Sequence, residues 1–210
     1  GLVGWQYNSS ITTAYATGAA TGGDRALVGG LVGGQYESSS ITTAYATGAV
    51  MGGDDAKVGG LVGHAEKSSI STAYATGAVT GGDNAAVGGL VGTQLVGNIT
   101  TTYAAGDVAG GAGAFVGGLV GFTEAGVAQT VAGDQNYWRT QAAGVSGCGY
   151  IASGDCGGVT GKTEAELKQL ITFTDWSIDT VGGQSKTWRL YTGDAYPLLK
   201  VFLRPLAVGV

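Results

Sequence analysis

Apolar residues along this chain recur in two short phrases and do not spread over long amphipathic stretches. Leu-Val pairs flanked by glycine stand at Leu2-Val3, Leu31-Val32, Leu61-Val62, Leu90-Val91 and Leu119-Val120. Between them, β-branched and small residues alternate around a tyrosine. Ile11–Gly18 reads Ile-Thr-Thr-Ala-Tyr-Ala-Thr-Gly and returns at Ile41–Gly48, at Ile70–Gly77 and, more loosely, at Ile99–Gly106. Neither phrase keeps a helical period, and both suit short strands. A further valine follows each Gly-Gly-Asp, as in Ala86-Val87. Each unit thus predicts three short β segments, separated by Ser-rich or Gly-Gly-Asp turns.

The spacing turns these segments into an architecture. Gly-Leu-Val-Gly begins at Gly1, Gly30, Gly60, Gly89 and Gly118, giving four complete units of about 29 residues and the start of a fifth. A repeat of this length without a helix fits one coil of a solenoid. The expected fold is all-β, a right-handed parallel β-helix with one three-sided coil per unit. Equivalent residues then stack about 4.8 Å apart, so four rungs make a rod of roughly 20 Å. Leucine and valine ladders follow, with one of them facing the core. Proline, which would remove a ladder hydrogen bond, is absent from the repeats. Because the chain opens in the middle of a repeat phrase, it reads as a piece of a longer rod. Its open N-terminal rung is a candidate for self-association by strand addition.

Residues 1–122 are accordingly the repeat region and 123–210 the terminal coils and a C-terminal cap. Within the cap, Thr163-Glu164-Ala165-Glu166 has capping-box form. With Leu167, Leu170 and Ile171 it predicts one short α-helix. Phe173, Trp176, Trp188, Leu190, Tyr196, Leu198, Leu199, Val201 and Phe202 follow, and both prolines, Pro197 and Pro205, lie here. Such a lid suits the open sheet edge that a last rung exposes.

Composition refines this picture. Glycine supplies 42 of 210 residues and charged residues only 12%, unlike an ordinary globule, while 44% hydrophobic residues can still bury a core. A net charge of −5 with scattered Lys and Arg offers no basic stripe and argues against nucleic acid as a partner. No apolar run reaches 18 residues, so membrane insertion is not expected. Cys148 and Cys156, eight apart among glycines, are read first as a local disulfide in an oxidising compartment and otherwise as free thiols.

Candidate chemistry is sparse. Tyr15, Tyr45, Tyr74 and Tyr103 form a ladder that is either structural stacking or an aromatic strip for sugar or another ligand. Thr12, Thr42, Ser71 and Thr100 form a polar ladder beside it, a pattern open to ice or polysaccharide binding. Asp24, Asp54 and Asp83, with Asp55 beside them, fit turn formation; calcium binding and a catalytic acid pair are the weaker alternatives. The lone histidine, His64, occupies a position held by Trp5, Gly34, Thr93 and Phe122 in other copies. It is expected to face solvent, not to act as a general base. No catalytic set, cofactor site or metal site is assigned, and the chain is not expected to be an enzyme.

Gly-Gly-Leu-Val-Gly followed by Ser-Ser-Ile-Thr-Thr-Ala-Tyr-Ala-Thr-Gly-Ala-Val resembles the GLUG repeat of large bacterial surface proteins. The tail segments Asn136-Tyr137-Trp138, Phe173-Thr174-Asp175-Trp176, Trp188-Arg189 and Tyr196-Pro197-Leu198-Leu199 resemble the stretch that often follows such repeats. The resemblance implies a secreted or surface-attached β-solenoid of the haemagglutinin-like adhesin kind, exported by two-partner secretion. Some immunoglobulin A-cleaving metallopeptidases also carry the repeat, but their His-Glu-x-x-His motif is missing here. The expected function is a structural and adhesive module meeting a receptor or glycan on a host or neighbouring cell, or another copy of itself. The alternatives are a polysaccharide- or ice-binding solenoid using the Tyr or Thr ladders and, further off, a β-helical carbohydrate-active enzyme.

Overall fold

The computed structural model describes residues 1–123, 135–141, 144–152, 156–180 and 185–203. They fall into two compact units, Gly1–Thr163 and Glu164–Val210. The first is a parallel β-solenoid whose coils pair in the register that the repeat predicts. Val3 pairs with Val32, Val32 with Val62, Val62 with Val91 and Val91 with Val120. Valine therefore meets valine at each of these rungs.

Each coil contributes four strand segments, one more than the hydrophobic pattern discloses. The Leu-Val row comprises Val3–Tyr7, Val32–Tyr36, the first halves of Val62–Ala75 and Val91–Ala104, the end of Phe115–Thr123, and Ser146–Ile151. The tyrosine row comprises Ser10–Ala16, Ser40–Ala46, the second halves of Val62–Ala75 and Val91–Ala104, Asn136–Arg139 and Val159–Lys162. The return row is Leu27–Gly29, Lys57–Gly59, Ala86–Gly88 and the start of Phe115–Thr123. The additional short row is Ala20–Thr21, Val50–Met51, Val79–Thr80 and Val108–Ala109. Two residues between glycines are too few to show a period of two, which hid this row from the pattern.

Two apolar compartments fill the coil. Leu31, Val32, Ile41, Ala44 and Ala46, with their equivalents in later rungs, form one between the Leu-Val and tyrosine rows. Ala20, Val28, Val50, Ala56, Val58, Val79, Ala85, Val87 and Val108 form the other, between the short and return rows. From Leu31 and Val32 onward both the leucine and the valine ladders are buried, where only one was expected. The leucine sits at the corner: the Leu61 carbonyl accepts from the N–H groups of both Leu31 and Val32, so successive side chains both turn inward. A leucine buried this fully contributes roughly 1.5–3 kcal/mol.

Glycines separate the compartments. The return row lies back to back with the Leu-Val row, with no room for a side chain between them. A Cβ on Gly63 would stand 2.6 Å from the Val28 amide, 2.7 Å from the Gly33 carbonyl and 2.9 Å from the Lys57 carbonyl. Gly92, Gly121 and Gly149 are equally confined by the return strands at Val58, Val87 and Val116. This close approach requires the second glycine of Gly-Leu-Val-Gly.

A second local device lies inside the tyrosine row. Thr13, Thr43, Thr72 and Thr101 take φ of 55°, 58°, 53° and 55°. Positive φ is costly for a β-branched residue. The kink skips one residue of alternation, so Ile41 and Ala44, three apart, both face the core. The one 30-residue unit places its extra residue in the turn between the Leu-Val and tyrosine strands, between Tyr36 and Ser40. Tyr7 pairs with Tyr36 at a spacing of 29, but Ser10 pairs with Ser40 at 30. Glu37 and Ser38 both adopt positive φ there, and the Ser39 hydroxyl donates to the Tyr36 carbonyl.

Stacking outlasts sequence identity. Past residue 122, Trp138 stands in register with Ala104 and lies on Gly118, at a level where earlier rungs use alanine. Cys148 and Cys156 are joined in a disulfide between the last two segments. The solenoid unit thus runs to Thr163, well beyond the last recognisable repeat.

In the second unit, the expected α-helix is replaced by two 3-10 turns, Glu166–Lys168 and Leu170–Phe173. Gln169 between them is extended, at φ −118° and ψ 135°. Fewer than about twelve residues do not hold an α-helix by themselves, and Ile171 and Thr172 weaken this one further. Ala165, not Thr163, is the N-cap of the first turn. Leu167, Phe173, Trp176, Trp188, Leu190 and Leu199 form this unit's own core beside three short strands. Pro205 lies outside the described residues.

Gly63→Ala is expected to destabilise the fold by about 3 kcal/mol or more, since backbone on both sides must move. Gly4→Ala, whose Cβ would meet nothing within 4 Å, should leave the thermal midpoint nearly unchanged. Thermal unfolding of both variants checks this.

Candidate functional surfaces

The tyrosine row brings Tyr15, Tyr45, Tyr74 and Tyr103 into one stack, with ring centroids 5.1, 4.9 and 5.0 Å apart and planes within 11° of parallel. Such offset pairs contribute roughly 0.5–1.5 kcal/mol each. Exposure falls along the stack, from 53% at Tyr15 to 5% at Tyr74 and 0% at Tyr103. Burial raises the Tyr74 phenol well above its ordinary range. Only Tyr15 and Tyr45 reach solvent, so a ligand strip along the whole ladder is not available. In the neighbouring polar ladder, the hydroxyls of Thr42 and Ser71 meet at 3.3 Å.

The aspartates act on the next rung, not on their own turn. The Asp24 carboxylate accepts from the Asp54 amide at 3.1 Å, Asp54 from Asp83 at 2.8 Å, and Asp83 from Ala112 at 2.7 Å. Each carboxylate thereby caps the turn of the next rung. Among the described residues, no group of three or more His, Cys, Asp or Glu side chains is placed to hold a metal ion.

His64 corrects the expectation of a solvent-facing residue: it is only 3% exposed. Tyr36 tilts over its ring at 5.2 Å, and Lys57 Nζ lies 3.3 Å from Nδ1. Burial first, and the Lys57 charge second, push the imidazole down to about 4. The ring is therefore neutral at pH 7, with Lys57 donating to Nδ1. Its own proton then sits on Nε2, 3.7 Å from a Glu66 carboxylate oxygen. Burial also lowers the Lys57 amine, against the opposing pull of Glu66.

These residues belong to a face on which the rungs differ. Trp5, Gly34, His64, Thr93, Phe122 and Tyr150 are in register in the Leu-Val row. Leu27, Lys57, Ala86 and Phe115 are in register in the return row. The two sets meet across the glycine seam as pairs seven residues apart: Lys57 with His64, and Phe115 with Phe122 at 5.7 Å between rings. Leu27 correspondingly lies beside Gly34. Trp5 stacks on Tyr36 at 4.1 Å, and Tyr150 on Phe122 at 5.3 Å. Trp5 and Tyr7 are 60% and 62% exposed, and Tyr150 is also exposed. At the level of Ala86 and Thr93 a cavity of about 270 Å³ opens, lined by Asp55, Lys57, Asn84, Leu95, Phe115 and Phe122. Aligning the copies and reading where they disagree exposes these columns in the sequence. The pairing across the seam needs the fold.

The GLUG motif model matches residues 24–51 and 57–80. Each matched stretch covers one return strand, glycine corner, Leu-Val strand, tyrosine strand and short strand, which together make one coil. Comparison with the curated proteins and with the solved structures gave no match.

Two outcomes follow for stability. His64 binds a proton in the unfolded chain below about 6.5 but in the folded chain only below about 4. Stability should therefore fall as pH drops through that window and level off beneath it. His64→Gln should flatten the slope in urea titrations across pH 4–7. Tyr103→Ala should cost about 3–5 kcal/mol, and Tyr15→Ala under about 1 kcal/mol, by the same measurement.

Proposed function

We propose that this GLUG-repeat solenoid is a non-enzymatic structural and adhesive module of a secreted or surface-exposed bacterial protein. The reading extends to the haemagglutinin-like, two-partner-secreted kind that the repeat resembles. The observation that carries it is the division of labour between faces. Leucine, valine, alanine and tyrosine repeat wherever rungs stack, whereas the Trp5 and Leu27 columns change from rung to rung and expose aromatic rings. Exposed aromatic clusters on a rigid scaffold favour recognition.

Other features agree with this reading. Parallel strands paired coil upon coil suit a spacer that presents a surface at a distance. The Cys148–Cys156 disulfide fits an oxidising, extracytoplasmic compartment. The Asp24, Asp54 and Asp83 carboxylates are engaged in turns and the only imidazole is buried and neutral, which favours binding over catalysis. Partners of this reading are a receptor or glycan on a host or neighbouring cell, or further copies of the chain. A net charge of −5 disfavours nucleic acid. Among the described residues no helix is long and apolar enough to cross a membrane.

Beads coated with the protein should adhere to cells or to one another above albumin-coated beads. The Trp5→Ala/Tyr7→Ala/Tyr36→Ser variant should lower adherence about fivefold or more while still unfolding in one cooperative transition, at a lower midpoint because the Trp5–Tyr36 stack and the cover over His64 are lost. Adherence no better than albumin, or unaffected by the triple variant, would overturn the reading.

A further inference from the structure

The paired columns of the variable face show why one rung is open. Leu27 lies against Gly34, Lys57 reaches His64, and Phe115 meets Phe122, so each of these pairs fills its own level. Ala86 and Thr93 do not. Both are buried and small, and the space above them is bounded by Lys57 on one side and by Phe115 and Phe122 on the other. Asp55 and Asn84 stand at the rim in equivalent turn positions, their backbones held at φ 56° and 55°.

We propose that this notch binds one neutral pyranose residue of a glycan chain, with an apolar face of the sugar on Phe115 and Phe122 and its hydroxyls on Asp55, Asn84 and Lys57. The inference rests on the variable face being the contact surface, and it names the class of ligand. The volume of about 270 Å³ falls just under that of pockets for drug-sized ligands, which suits a single ring. A pyranose has an apolar C–H face and a belt of hydroxyls, each both donor and acceptor. The notch offers the complement: aromatic rings on one wall and, at the rim, a carboxylate that only accepts, an ammonium that only donates and an amide that does both. Opposite charges on Asp55 and Lys57 leave no net attraction for an ionised sugar, because a carboxylate drawn to Lys57 also meets Asp55. Lys57 is held in place by its hydrogen bond to His64, which reduces the ordering cost of binding.

Ala86→Phe tests the site with little risk to the fold, because Phe115 already occupies the equivalent position one rung on. Saturation-transfer NMR would use the methyl glycosides of glucose, galactose and mannose, with methyl glucuronide as the charged comparison. At least one neutral glycoside should bind, with affinity about tenfold or more weaker for Ala86→Phe and reduced for Asp55→Ala. Tyr15→Ala should bind as the parent does. Unfolding midpoints show that each variant is folded. Binding of no neutral glycoside, binding unchanged by Ala86→Phe, or binding of the glucuronide alone overturns the proposal. If no glycoside binds while coated beads still adhere, the pyranose site falls and the adhesive reading stands. Glycoside binding by a protein whose beads do not adhere has the reverse meaning.

Discussion

Backbone packed directly on backbone is the contact on which the rest of this solenoid depends. Where the return strand passes behind the Leu-Val strand, Gly63, Gly92, Gly121 and Gly149 leave less than 3 Å for any added carbon. That approach splits the coil into two narrow apolar compartments, each lined by small or branched side chains. It also explains why glycine is so abundant without a strict short period. The glycines mark a seam and corners of the cross-section, not a flexible chain. Ordering so many glycines costs backbone entropy, and continuous ladders of buried leucine, valine and isoleucine offset it.

The seam has a consequence for the outer surface. Side chains at the edge of the return row meet those of the Leu-Val row across it, seven residues further along the chain. Large with none, cation with neutral imidazole, small with small, and aromatic with aromatic are the four solutions found at successive rungs. None of these pairs is demanded by the ladders. Chemistry is therefore free to vary there, while the interior of the coil is held to Leu, Val, Ile and Ala. The threonines at positive φ show the opposite case. Their strained backbone recurs at Thr13, Thr43, Thr72 and Thr101, where it orients residues such as Ile41 and Ala44 inward, so it is architectural and not a mark of a site.

Much of this was legible beforehand. Five Leu-Val pairs and four tyrosines at a spacing of 29 or 30 residues predicted the register, and the pairing of Val3 with Val32 and of Tyr45 with Tyr74 follows it. The short row escaped notice because two residues carry no period. The helix expected near Leu167 failed for a different reason. The Thr163 capping box does not form, since Ala165 stands at the N-cap without a side-chain bond, the segment is short, and Gln169 takes an extended conformation between two tight turns.

Spacing alone determined which residues stack, because in a solenoid the neighbour one rung away is the same residue of the next copy. Spacing carries nothing about what lies across the coil or outside it. Only the tertiary structure decided that Tyr103 is sealed while Tyr15 is open, that His64 is buried between Lys57 and Glu66, and that Ala86 and Thr93 leave a notch between larger pairs. The burial of His64 and the notch at Ala86 depend on two backbones meeting where no Cβ stands, a distance that periodicity along the chain does not encode.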